Sequence, residues 1–273
     1  MHFLLPFICS ISSVSPEQSY HNEISANSTL FDLNRALWAL DFAAAAYAPD
    51  PNPCLKEHNA FMVYRITAPC DYLKDELRAG GSVQRYFFVA LKSIWNKLHT
   101  IIRKLRSTYP GYQILFTGHS LGGALASLAS IIFAHRHPTL ENQINLITFG
   151  QPRVGNYEYA VAHSRLVPNS WRIVHKYDLV AHLPACAFRF FSHSCTPLLN
   201  HSPYHHGTEI WFPMNMTNSS LFQICDGTPQ FEDDKCSNGY YLHYGLKDHL
   251  RYFEHHVSVY GRNGCVDVPD LDD

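Results

Sequence analysis

The stretch Tyr112–His135, YQILFTGHSLGGALASLASIIFAH, decides the fold. Tyr112–Thr117 is a short, β-rich apolar run, and Leu121–His135 is an Ala- and Leu-rich helical segment. Between them sits Gly118-His119-Ser120-Leu121-Gly122, a G-x-S-x-G sequence at a strand-to-helix turn. A serine there has its Oγ exposed, because small residues two positions before and after let the backbone crowd. The Leu121 N–H, at the helix N-terminus, then faces the place where an oxyanion would develop. The bland reading is a Gly-rich turn that only joins strand to helix. Placement between a strand and a helix favours the nucleophile.

Working outward, Leu30–Ala46 predicts a helix that stops before Pro49 and Pro51, and Asn59–Thr67 (NAFMVYRIT) predicts a strand. After a polar stretch, Asp71–Gly81, comes a long amphipathic helix, Val83–Ser107, ended by Pro110-Gly111. Ile144–Phe149, Trp171–Lys176 and Thr208–Phe212 predict three further strands. Strands alternating with helices indicate an α/β fold with a mainly parallel sheet flanked by helices. No repeat or low-complexity linker divides the chain, so one domain is expected over residues 16–273, with a loop-rich C-terminal third.

Composition narrows the classes. The 273 residues carry 21 Lys+Arg against 23 Asp+Glu, and no basic cluster offers a footprint for nucleic acid. At 46% apolar residues the chain is not disordered. Met1–Ser13 (MHFLLPFICSISS) is an apolar run followed by small residues, which predicts a signal peptide over residues 1–15. No second apolar run is long enough to span a bilayer, so no transmembrane segment is expected. Sequons at Asn27, Asn200, Asn215 and Asn218 mark glycosylation candidates in an exported chain. The dispersed cysteines, with no C-x-x-C, suit a disulfide-bonded secreted domain; removing Cys9 with the signal leaves an odd seven.

A serine hydroxyl needs an imidazole to take its proton and a carboxylate to orient that imidazole. Asp178 follows the Trp171–Lys176 strand, where a side chain emerges at the same sheet edge as Ser120. It could equally be a strand-ending turn residue. Among the 18 histidines, His193, His205, His206, His243, His249, His255 and His256 all follow Asp178, and chain order does not choose between them. The excess does not indicate a metal: His-Glu-x-x-His is absent, and His205-His206 and His255-His256 are adjacent pairs that do not share a helix face.

Five ordered motifs resemble the class 3 lipases, the fungal-type triacylglycerol lipases with an α/β-hydrolase fold, and most closely their secreted nematode branch. They are TGHSLGGALASLA at Thr117–Ala129, TFGQPRVGN at Thr148–Asn156, YDLVAHLP at Tyr177–Pro184, YHHGTEIWF at Tyr204–Phe212 and LKDHLRYF at Leu246–Phe253. The resemblance implies Ser120 as nucleophile, Asp178 as the acid, His249 as general base and the Leu121 N–H as one oxyanion donor. It implies a lipid ester substrate, hydrolysis through an acyl-enzyme, and no cofactor. His119 and His206 are expected to be structural.

The sequence departs from the family upstream of the long helix. Class 3 lipases usually carry there a strand ending in an Arg-Gly-Thr-like turn, which supplies the second oxyanion donor and leads into a lid. Here Val63–Glu76 passes directly into Leu77–Phe88. A strand and the lid are therefore expected to be missing near Asp75–Leu77, with Gly80-Gly81 the candidate for replacement donors. This leaves two readings: a secreted serine ester hydrolase, or a catalytically impaired lipase-like protein that binds lipid. The resemblance also implies disulfides Cys54–Cys265 and Cys225–Cys236, with Cys186–Cys195 a local pair. Cys70 is then left unpaired, since its family partner lies inside the missing segment. The oligomeric state is not fixed by any of these features.

Overall fold

The computed structural model describes residues 31–66, 80–187, 195–197, 202–217, 221–225 and 230–267. The predicted signal peptide, Asn27, Asn200, Asn218, Cys70 and the Asp75–Leu77 junction lie outside the described residues.

In chain order the chief elements are α1 (Leu33–Ala45), α2 (Asn52–Lys56), α3 (Arg85–Thr108), β1 (Ile114–His119), α4 (Leu121–Arg136), β2 (Ile144–Phe149), α5 (Tyr157–Leu166) and β3 (Asn169–His175). They continue with β4 (Thr208–Phe212), β5 (Gln223–Cys225), α6 (Leu246–His249), the hairpin strands β6 (Arg251–Tyr252) and β7 (His255–His256), and α7 (Val257–Arg262). The sheet order is β1-β2-β3-β4-β5, with the first four strands parallel and β5 antiparallel at one edge. β2 and β3 are buried at every position, as expected of strands covered on both faces.

Alternation divides the core. Ile144 and Leu146 of β2 point into one cluster with α3 and α4, whereas Ile147 and Phe149 point into the other with α1 and α7. Such period-two segregation sandwiches the sheet between two helical layers. Asp32 caps α1 by accepting from the Asn34 and Arg35 N–H groups, and Asn156 caps α5 by accepting from the Tyr159 N–H.

One predicted strand is seen only as an isolated bridge at Ile66, beside residues outside the described ones. The segment Asn59–Thr67 makes no ladder among the described residues, and Phe61 and Tyr64 are exposed. Its alternation has no neighbouring described strand to pair with; Ile66 alone is buried in the α3–α4 cluster. β1, which carries the serine turn, is the outermost strand of the sheet among the described residues. Disulfides Cys54–Cys265, Cys186–Cys195 and Cys225–Cys236 are all formed, pairing the six cysteines as expected. No described helix is long and apolar enough to cross a membrane.

Candidate active site

Ser120 lies between β1 and α4 with φ 58° and ψ −127°, a conformation that costs a non-glycine residue on the order of 1–3 kcal/mol. The surroundings over-determine it: Ser120 N–H donates to the Phe149 carbonyl at 2.9 Å, and its own carbonyl accepts from Gly123 N–H at 3.0 Å. A Cβ on Gly118 would stand 2.3 Å from the Gly122 carbonyl carbon, so glycine is obligatory there. Gly122 differs from the reading that both flanking positions must be small, because a Cβ on it would meet nothing within 4 Å. The crowding belongs to Gly118 and not to its partner. Leu121 opens α4, where its N–H has no intrahelical carbonyl to bond.

Two other elements converge beside this turn. Asp178, just past β3, is fully buried and accepts from His249 Nδ1–H, at the end of α6, over 2.9 Å. Its Oδ2 also accepts from the Tyr252 hydroxyl at 2.6 Å, while Oδ1 accepts from the Val180 and Ala181 N–H groups. Burial pushes the Asp178 carboxyl up, but the hydrogen bond and charge of His249, with Tyr252 and the Ala181 N–H, hold it below its ordinary value. Asp178 is thus ionised and poised to keep the His249 proton on Nδ1. The two strands' ends meet at Gly150, which follows Phe149 with φ +56°. A Cβ there would lie 2.4 Å from Asp178 Oδ2 and 2.8 Å from His249 Nδ1.

His119 stacks on His249, ring centroids 4.5 Å apart, which sets His249 directly beside the serine turn. Of the other histidines after Asp178, His193 lies outside the described residues. His206 is buried and bonded to Ser127 and Gln151, so it supports the loop after β2. His255 pairs with Asp267, and His243 packs on Tyr177. Glu209 lies beside Cys225 and Cys236, whose sulfurs bond each other and offer a metal no thiolate. Gly80-Gly81 packs against Ala162, Tyr159 and Asn156 of the α5 region. The loop after Asp178 is held by Arg153, which is buried, bonded to Glu232 at 2.8 Å and donates to the His182 and Pro184 carbonyls.

A mostly parallel sheet, a serine on a strained strand-to-helix turn and an acid delivered by a later strand place the chain among the α/β hydrolases. Within them it belongs to the class 3 lipase family, whose model matches residues 57–188. It is 30% identical to lipase ZK262.3 of Caenorhabditis elegans, over 96% of this chain and 89% of that protein. That alignment is 326 positions long, so at least 53 of them have no counterpart in a chain of 273. It is 33% identical to a Rhizopus niveus lipase over 64% of this chain and 40% of that protein. Among solved structures, Rhizomucor miehei triacylglyceride lipase shares the fold, with a TM-score of 0.66 at 23% identity, over 81% of this chain and 94% of that one.

Tyr252, Gly150 and His119 are the parts of the site that residue patterns did not single out for these roles. Tyr252 and His249 fall in one motif, DHLRYF, and that three-residue spacing is the available signal.

Proposed function

We propose that the chain is a secreted serine ester hydrolase acting on acylglycerols or related lipid esters. His249 takes the Ser120 proton, and Ser120 Oγ attacks the ester carbonyl carbon. The Leu121 N–H bonds the oxyanion, and the protonated His249 then gives its proton to the departing alcohol. Water, deprotonated by His249, releases the acid. The observation that carries this reading is the buried Asp178–His249 pair, 2.9 Å apart and stacked against the residue preceding Ser120. Exposed Leu183, Leu246 and Leu250 flank Asp178 and His249 along the chain, which suits an apolar acyl substrate. Three disulfides and the apolar N-terminal run support export to an oxidising compartment.

The test is hydrolysis of p-nitrophenyl butyrate by the wild type and Ser120→Ala, with fluorophosphonate labelling of each. Loss of both in the variant is expected, and equal rates would end the assignment. A second reading, an impaired lipid-binding protein, is favoured by two observations, the outermost position of β1 among the described residues and the unmatched positions against the nematode relative. Labelling of Ser120 without measurable turnover would select it.

A further inference from the structure

His119, which precedes the nucleophile, makes contacts that the three-residue reaction scheme does not call for. It is buried, and its ring lies on the His249 ring with the planes 26° apart. Its Nε2 is 2.8 Å from the His249 carbonyl oxygen, and its Nδ1 is 2.7 Å from the Tyr47 hydroxyl. A carbonyl oxygen only accepts, so Nε2 carries the proton. Nδ1 is then bare, and the Tyr47 hydroxyl must donate to it.

We propose that Tyr47 and His119 form a positioning relay for the general base, Tyr47 anchoring the His119 ring through Nδ1 and His119 holding the His249 backbone and ring. The proposal rests on the reading of His249 as that base. Tyr47 lies two residues past the end of α1, so the relay ties the helical layer over β1 to the far end of α6. The catalytic imidazole is gripped on its edge by Asp178 and on its face by His119.

The neutral state of His119 matters to this arrangement. A charged ring 4.5 Å away would oppose the imidazolium that forms on His249 during each acyl-transfer step. Burial, with the facing His249, pushes His119 down to about 3, against a smaller upward pull from the His249 carbonyl and Asp178; His256 adds to the lowering. Burial likewise pushes the Tyr47 hydroxyl up to about 12, against Arg262, so it remains a donor.

The decisive measurement is the nitrogen spectrum of the full chain with ¹⁵N-labelled histidine, recorded across the neutral range. His119 is expected as the Nε2–H tautomer throughout, and Tyr47→Phe is expected to keep that tautomer while the Nδ1 resonance shifts, because only its hydrogen bond to the hydroxyl is lost. In the same variant kcat for p-nitrophenyl butyrate should fall about tenfold with KM unchanged, since the ring that binds no substrate has only lost its support. A wild-type His119 protonated on Nδ1, or one that titrates near its ordinary value, overturns the relay even if no Tyr47 variant folds. So does Tyr47→Phe with wild-type kcat. His249→Ala serves as the separate control: wild-type turnover there would sink the general base and leave the His119 tautomer to be judged on its own.

Discussion

Replacing Gly150 by alanine tests the dyad without touching either of its members. The new methyl group would stand 2.4 Å from Asp178 Oδ2, 2.8 Å from His249 Nδ1 and 3.0 Å from its Cε1, so it enters the hydrogen bond that joins them. Relieving the closest approach to an ordinary contact of roughly 3.5 Å requires a displacement of about 1 Å. The backbone cannot supply that motion cheaply. φ is +56° at this position, where a side chain costs about 1–2 kcal/mol, and Gly150 N–H is committed to the Ile173 carbonyl at 3.0 Å. The carboxylate or the imidazole must move. A 1 Å misplacement costs about 10²-fold in rate and complete loss of the orienting carboxylate about 10⁴-fold, which brackets the expected fall in kcat. In free energy this is about 2.7–5.5 kcal/mol of transition-state stabilisation. The assay is p-nitrophenyl butyrate hydrolysis normalised to the fraction labelled by a fluorophosphonate, with thermal unfolding measured alongside. KM should stay near its wild-type value, because the methyl group meets the Nδ1 edge of His249, where Asp178 sits, and the proposed proton transfer uses Nε2. A Gly150→Ala enzyme with wild-type kcat would refute the reasoning.

The remaining expectations concern the turn, the core and the sheet. Gly118→Ala should abolish folding or activity, whereas Gly122→Ala, with open space around it, should leave both intact and add up to about 1 kcal/mol of helix stability; equal damage from the two would contradict the geometry of the elbow. His119, His163 and His182 are buried and pushed down to about 3 by burial, with His249 and Arg153 adding to it at His119 and His182. Because their folded values lie below the unfolded 6.5, stability is complete above that pH and declines as pH falls from 6.5 toward 3, by up to about 1.4 kcal/mol per pH unit for each. Denaturant melts at pH 7.5 and 5 check this, and a flat profile would contradict it. Arg153→Met leaves Glu232 buried without its charge partner, and should cost about 3–5 kcal/mol, much of it recovered by adding Glu232→Gln; no recovery in the pair would refute the ion-pair account. Amide exchange should be slowest in β2 and β3, which are paired on both edges and buried at every position; protection there no greater than in the largely exposed β5 would contradict that placement.

What could be read in the sequence was what is local. The turn at Ser120 is written in five consecutive residues, and the strands β2 and β4 coincide with their apolar runs because each is buried. Asp178 was legible as a residue just beyond a strand. His249 was not separable from its neighbours by pattern, since its partner lies 71 residues away and only the fold brings them together. The same holds for Tyr47, Gly150 and Tyr252, whose roles are distances and not spacings. Asn59–Thr67 alternates like a strand, but alternation specifies only which side chains share a face, and among the described residues only Ile66 shows a bridge. β5 and α7, of three and six residues, are too short to show a period. Glycine at 122 was overread, because a motif does not state which of its glycines the backbone needs.

The position of β1 bears unequally on the two functional readings. Among the described residues, the contacts that hold Ser120 do not come from the outer side of β1. Ser120 is fixed by parallel pairing to β2, by its N–H on the Phe149 carbonyl, by the contact of Gly118 with the Gly122 backbone, and by α1, whose Ala39 carbonyl accepts from Thr117 Oγ1 at 3.0 Å. Each of these comes from β2, α4 or a face of the sheet. Ser120 and the Asp178–His249 pair are therefore held by contacts that need no strand beyond β1. An oxyanion donor contributed from beyond β1 would need one, and losing one such donor costs on the order of 10²- to 10³-fold in kcat. That loss is smaller than the contribution of the triad itself, which is on the order of 10⁶-fold when its members act together. The physical balance accordingly favours a slow ester hydrolase over a protein that has kept a charged, buried Asp178 only to bind lipid. For a binder, the same position would be better filled by an apolar residue with no desolvation cost.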